Sequence, residues 1–355
     1  MGTVQTVLGP IDAGALGSTL SHVHLTLDIR CWYQEPPPAL RELATQPLGL
    51  ANLGLTRRNG LMVRDNLVQG DVALTIREAA EWKRAGGGSF INMDLPGIGR
   101  DIAALQQISR ATGIHIVASS GWYTQASHPA VIAESSVEQL ADAIERELVE
   151  GIDDTGVRAG NIGEIGMSGM PGDACLPDEA KVLRAAARAQ ARTGASLTVH
   201  PNAGTHGSRG QPIDHLDSYL DVLEKEGADL GRVYMSHMGF FPFATARRVL
   251  ERGLGYVSYD HFGHEEYYEL IGPGRGFPRD KEEIDLVMRL IEAGFEKRVL
   301  IANEIGWKTC YKAYGGWGYS HVLEHVVPWL RDCGASDAAL HAILVENPAR
   351  LHGQG

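Results

Sequence analysis

The sequence predicts a parallel α/β fold closed into a (β/α)8 TIM barrel, and three observations point there. Eight short apolar runs recur along the chain, each followed by a turn rich in Gly, Pro or His and then by a longer amphipathic stretch. The amphipathic stretches carry the boundary signals of helices. The 355 residues suffice for one large barrel with decorated loops, and no low-complexity linker or change of composition divides them. Residues 1–355 are therefore expected to form a single barrel domain.

The predicted strands are Thr19–Leu25, Ser89–Leu95, Ile114–Ser119, Gly160–Ile165, Ser196–His200, Val233–His237, Tyr256–Tyr259 and Val299–Asn303. Short apolar runs that alternate with helical patterns suit the buried strands of a parallel sheet. Eight such units suggest closure. Among the helices, Asp178–Arg192 opens behind Pro177 with acidic residues in its first turn and ends at Gly194. Lys281–Ala293 has the same amphipathic pattern. The tightest unit joins strands 2 and 3, where Asp101–Thr112 must supply the helix. The segment 28–64 breaks the rhythm: it is long, contains Pro36-Pro37-Pro38 and follows the first strand. It reads as an extended first loop that serves a pocket or a subunit contact.

Composition excludes several partners. Hydrophobic residues make up 44% of the chain, and the formal charge is -12 with scattered lysines and arginines. No basic stripe exists for nucleic acid or an anionic membrane. Cys31, Cys175, Cys310 and Cys333 are widely spaced and form no Cys-x-x-Cys pair, so they read as reduced thiols. Without a signal pattern or a membrane-length apolar run, a cytoplasmic location is expected.

The histidines carry the chemistry. His22 and His24 stand two apart on a predicted strand, so both imidazoles point to one face. His200 and His237 end strands 5 and 6, and Glu164 lies in Gly163-Glu-Ile-Gly on strand 4. Intervals of 36 and 37 residues separate Glu164, His200 and His237, the length of one strand-helix unit. All five thus fall at the C-terminal strand ends, where barrel active sites are built. A lone histidine at a strand end is more often structural. Four in matching register, beside a carboxylate that is costly to bury alone, argue for ligands. Nitrogen and oxygen donors without cysteine suit zinc, with manganese, cobalt or iron as substitutes. Two imidazoles per ion and a shared Glu164 describe two divalent cations, able to lower the pKa of a shared water.

Glu304, in the run ending strand 8, is the candidate acid/base and a sixth ligand. The aromatic residues Trp32, Tyr33, Trp122, Tyr123, Tyr267, Tyr268, Trp307 and Tyr311 are candidates for the walls of a substrate pocket, with His261 and His264 near the end of strand 7. Arg275 and Lys308 are candidate partners for a substrate anion.

These residues resemble, in this order, the phosphotriesterase-related family of the amidohydrolase superfamily. The resemblance begins at Leu16-Gly-Ser-Thr-Leu-Ser-His-Val-His-Leu and runs through Gly97-Ile-Gly-Arg-Asp, Thr112-Gly, Gly163-Glu-Ile-Gly and Arg192-Thr-Gly. It ends with Tyr314-Gly-Gly-Trp-Gly-Tyr-Ser-His and Glu346-Asn-Pro-Ala-Arg-Leu. It implies an amidohydrolase-like barrel with one metal on His22 and His24, the other on His200 and His237, and Glu164 between them. Many members bridge the metals with a carboxylated lysine. Glu164 in its place resembles the branch that holds an animal N-acetyltaurine hydrolase. The family's strand 8 acid is Asp in Ser-His-Asp, whereas this chain has Ala302-Asn-Glu, one methylene longer. The resemblance implies a hydrolase in which a metal-bridging hydroxide attacks a carboxylic amide or an ester/lactone. Phosphotriester or phosphodiester hydrolysis is the alternative, and an inactive metal-binding barrel a further one. A small-molecule substrate is expected, and a homodimer would accord with the family.

Overall fold

A computed structural model describes residues 2–169, 175–202, 214–264, 266–267 and 276–354. Barrel strand 1 is Thr19–Val23, strand 2 Ser89–Asn92, and strand 3 His115–Val117, continued past Ala118 by Ser119–Ser120. Strands 4 to 8 are Asn161–Gly166, Ser196–His200, Val233–Met235, Tyr256–Tyr259 and Val299–Ile301. Strands 1, 2 and 3 pair in parallel, and the Ser119–Ser120 extension carries the pairing on to strand 4 and through to strand 8. Strand 8 meets strand 1 without a regular ladder. There the Glu304 N–H donates to the His22 carbonyl at 3.2 Å, and the Ser21 hydroxyl donates to the Ile301 carbonyl at 3.3 Å.

The helices stand where the sequence signals put them. Asp71 caps Val72–Arg84 by accepting from Leu74 N–H, and Asp101 caps Ile102–Thr112 by accepting from Ala104 N–H. Ser136 and Gln139 form a capping box that opens Val137–Val149. The stretch predicted as Asp178–Arg192 is Pro177–Thr193, closed by left-handed Gly194, and Lys281–Ala293 is Asp280–Glu292. The short connection between strands 2 and 3 does hold an eleven-residue helix. Between strands and helices lies a continuous apolar core that includes Trp82, Phe90, Leu105, Leu183, Leu197 and Leu290.

Several predicted strands run too far at their C-terminal ends. Leu25, Leu95, His237 and Asn303 stand beyond the last ladder residues. The reason is local: His237 has φ of 58° and Glu304 of 30°, left-handed backbone that leaves the sheet in order to aim a side chain into the mouth. Inside the barrel a polar layer supports that mouth. Asn161 Nδ2 donates to Ser119 Oγ and Thr198 Oγ1 at 3.1 and 3.2 Å, and Tyr234 donates from strand 6 to the Ser21 carbonyl on strand 1 at 2.9 Å.

The first loop holds short helices at Arg41–Ala44 and Leu53–Arg58 and folds back so that Ile29 N–H donates to Leu67 O at 2.9 Å. An N-terminal hairpin, Thr3–Thr6 with Gly9–Asp12, precedes the barrel. Thr3 and Gln354 exchange backbone hydrogen bonds at 2.7 and 2.8 Å, which ties the two ends of the chain together. Among the described residues no helix is long and apolar enough to cross a membrane.

Candidate metal centre

Glu164 stands at the middle of the barrel mouth, and its position depends on Gly163. At φ of 101° and with a Cβ site only 2.3 Å from the Thr198 carbonyl oxygen, position 163 excludes any side chain. Strand 4 can therefore bulge against strand 5 between Ile162 and Ile165 and turn the carboxylate inward.

Four imidazoles from strands far apart in sequence surround it. Glu164 Oε2 lies 3.6 Å from His22 Nε2, 2.9 Å from His200 Nδ1 and 3.4 Å from His237 Nε2. Its Oε1 lies 3.4 Å from His24 Nε2. Glu304 reaches the same place despite its longer side chain: Oε1 is 3.8 Å from His22 Nε2 and 3.7 Å from His237 Nε2. Ligand atoms of His22, Glu164, His237 and Glu304 all fall within 4.8 Å of one another.

The backs of the His24 and His237 rings are held as well. His24 Nδ1 is 2.9 Å from Asp94 Oδ1, whose other oxygen accepts from Leu25 N–H, Thr26 N–H, Thr26 Oγ1–H and Asn92 Nδ2–H. Asp260 Oδ1 accepts from the His237 backbone N–H at 2.9 Å and sits 3.0 Å from His237 Nδ1. His261 Nε2 lies 2.7 Å from Glu304 Oε2. Carboxylates behind ligating imidazoles fix the tautomer and turn the other nitrogen to the ion.

Asp94 and Asp260 escaped the sequence reading. Their signal was available: each stands just past the last residues of its barrel strand, in Asn92-Met-Asp94 and Tyr259-Asp260-His261, on the mouth where the histidines also end.

Electrostatics make the site a trap for positive charge. Burial disfavours a proton on His24, yet the Asp94 and Glu164 carboxylates outweigh it and raise the pKa to about 10. His237 is raised well above its ordinary value, Glu304 and Asp260 again outweighing burial. Burial likewise opposes ionisation of Glu164, but His22 and His200 hold it well below the usual carboxylate range. A field that favours a proton on those nitrogens favours a metal ion there.

Two further observations test the fit. Both ring nitrogens of His22 are buried without a hydrogen-bond partner, and His200 Nδ1 and His237 Nε2 point at each other from 2.6 Å. The unpartnered His22 nitrogens are explained by a cation beside them, whereas the 2.6 Å contact of His200 with His237 is a ring-to-ring hydrogen bond through one proton, which a cation would displace. The residues present fit a metal pair, with imidazoles and carboxylates as the donor set.

Above the centre opens a small cavity of about 50 Å³. Of the predicted wall residues, Trp32, Tyr123, His261 and Trp307 line it, together with Leu27, Ile29, Leu61, Phe240 and Phe277, which were not foreseen. Tyr123 also reaches the centre, its hydroxyl 3.2 Å from His200 Nε2.

The other predicted wall residues stand elsewhere. Tyr33 lies under the Arg64 guanidinium, 3.8 Å from its ring centre, and Trp122 packs against the barrel core. Tyr267 lies on the outer surface under Arg279, and Tyr311 is buried with its hydroxyl 3.1 Å from Thr75 Oγ1. His264 is tucked behind the cavity, donating to the Asn303 and Glu304 carbonyls. Lys308 is neutralised by Asp65 at 2.6 Å. Tyr268 and Arg275 lie outside the described residues. The extended first loop is accordingly a wall of the cavity through Ile29, Trp32 and Leu61.

A sequence model of the phosphotriesterase family matches residues 2–352. The chain belongs to the phosphotriesterase family. This phosphotriesterase-family chain is 36% identical over 350 residues to the N-acetyltaurine hydrolase of Homo sapiens, a match that spans 98% of this chain and 97% of the relative. A resiniferatoxin-binding protein from Rhodobacter sphaeroides has a crystal structure that superposes with a TM-score of 0.92 at 35% identity, over 99% of this chain and 95% of that one. The phosphotriesterase homology protein from Escherichia coli, solved with phosphate in its active site, gives 0.74 at 28% identity, over 95% of this chain and 99% of that one. The amidohydrolase-like barrel and the hydrolase assignment stand on these matches, and the family's chemistry is metal-dependent.

Proposed function

We propose that this chain hydrolyses a small carboxylic amide or ester/lactone with two zinc ions, which His22, His24, Glu164, His200, His237 and Glu304 would hold. The observation that carries the reading is the convergence of four imidazoles on Glu164 at the foot of a cavity open to the barrel mouth, with Glu304 beside them. When bound, such a cation pair supplies Lewis acidity, lowering the pKa of water and polarising the bond under attack.

The chain's own groups manage the proton. Glu304 turns Oε1 to the centre and Oε2 to His261. Burial works against its charge, but His237 and His261 keep it ionised at neutral pH, so it is poised to accept a proton. His261 is neutral there, its pKa lowered to about 4 chiefly by burial. It therefore orients the carboxylate by a single Nε2–H donor. The protonated Glu304 then delivers the proton to the leaving nitrogen or oxygen.

The carboxylic reading is supported by the amide substrate in the names of the curated relatives and by Glu164 in the bridging position. Among the described residues no Lys or Arg lines the cavity, whereas Trp32, Tyr123, Phe240, Phe277 and Trp307 do. These walls suit a substrate with an apolar or ring-bearing part. The metal-replete protein should be assayed on N-acetyltaurine, N-acyl amides with aromatic acyl groups, lactones and a neutral aryl phosphotriester side by side. Turnover of a carboxylic compound at least tenfold above the phosphotriester is expected. The reverse order would replace this reading with phosphoester hydrolysis, which the phosphate-bearing structural relative favours.

A further inference from the structure

Behind Glu304 stands a separate group of buried cation ligands that the proposed mechanism does not use. His264, Glu266 and Cys310 are 1%, 7% and 2% exposed, and one ligand atom from each lies within 4.8 Å of the others. They come from the loops after strands 7 and 8.

The imidazole turns Nδ1 towards Glu266 and its Nε2 edge past Cys310, whose Sγ lies 4.0 Å from Nε2. His264 Nε2–H donates to the carbonyls of Asn303 at 3.1 Å and Glu304 at 2.9 Å, which leaves a lone pair on Nδ1. That Nδ1 has no hydrogen-bond partner, and neither has Glu266 Oε2, 3.7 Å away. The other Glu266 oxygen lies 3.9 Å from Cys310 Sγ, so the carboxylate faces the gap between thiol and imidazole with both oxygens. Two unpartnered polar atoms in a buried gap are costly, unless something binds both.

We propose that His264, Glu266 and Cys310 form a further divalent-cation site, of the kind zinc prefers, distinct from the centre around Glu164. Tetrahedral zinc with bonds of about 2.0–2.3 Å sets its ligand atoms roughly 3.3–3.8 Å apart. The separations of 3.7 Å to one Glu266 oxygen and 3.9 Å to the other suit a carboxylate that spans the two remaining ligands, and all ligand atoms, within 4.8 Å of one another, would draw in on binding. Three protein ligands leave a fourth position for water. Carbonyls accept the second ring N–H, as they do behind many ligating histidines. One of those carbonyls belongs to Glu304, so a cation here braces the left-handed backbone from which Glu304 reaches its centre.

The test uses cobalt as a spectroscopic stand-in for zinc. Protein stripped by a chelator is titrated with Co²⁺. Thiolate-to-cobalt charge transfer then gives a near-ultraviolet band that imidazole and carboxylate ligation does not. The expected result is a band that saturates at one ion per chain and is lost in Cys310→Ser. It persists in Cys31→Ser and Cys175→Ser, and it needs higher cobalt concentrations in Glu266→Gln. Absence of the band from the wild-type chain in cobalt excess, or its persistence in Cys310→Ser, overturns the proposal. The wild-type band decides even where Cys310→Ser fails to fold. Failure of the Glu164 centre reads differently: the band appears, but total bound cobalt stops at one per chain.

Discussion

Glu304 holds its carboxylate in place with a backbone at φ of 30°, a His261 contact on one oxygen and His264 beneath its carbonyl. Glu304→Gln keeps the shape and removes the proton acceptor. Turnover should fall on the order of 10²-fold or more, while Glu164 and the four imidazoles keep the cations; steady-state rates and elemental analysis on one sample check both halves. Asp260 acts one step further out, through His237 and His22. Asp260→Asn should weaken cation affinity by about 10- to 100-fold, measured by competition with a chromogenic chelator. The sequence reading named every imidazole at the centre because histidines at strand ends are rare and periodic. It missed Asp94 and Asp260 because aspartates are common, and only the fold shows that these two face rings. It misassigned Tyr33 and Tyr267 because an aromatic residue in a mouth loop carries no mark of the side it faces.

Strand 4 shows how an element can be constrained by one residue. Gly163 has no room for a methyl group, whereas Gly194, also at positive φ, has open space around its Cβ direction. Gly163→Ala should cost more than Gly194→Ala, which is worth about 1 kcal/mol. Because the strain falls beside Glu164, the first variant alone should also bind cations less tightly. Thermal melts and cobalt titrations of the two proteins make that comparison. Helix positions were legible to within a residue or so where caps are strong, as at Pro177–Thr193 and Asp280–Glu292. Strand ends were less so. An apolar run continues past the point where hydrogen bonding stops, and at the mouth the backbone turns away while residues such as Leu25 stay buried.

For the molecule as a whole, the order of eight parallel strand-helix units was legible in the sequence, and the junction between strands 8 and 1 was not, since no periodic pattern encodes a contact without a ladder. Two global measurements follow. Chelation should abolish activity and lower the melting temperature, since each cation bound at a hundredfold excess over its dissociation constant contributes about 2.7 kcal/mol of stability; added Zn²⁺ should restore both. Acid should destabilise the protein partly through His352, buried 2.8 Å from Ser196 Oγ, whose pKa burial lowers to about 3. The stability it confers is present above its ordinary pKa of 6.5 and is lost as pH falls from there towards 3. A His352→Gln variant should show a shallower loss across that window in denaturant titrations. The hydrogen bonds between Thr3 and Gln354 bear on engineering. Because Thr3 and Gln354 are already neighbours, a short peptide could join the segments that carry them, and the chain could be opened at exposed Leu50, remote from Glu164 in sequence and outside the residues lining the cavity. Such a circular permutant should assemble the same eight-stranded ring and retain its cation stoichiometry.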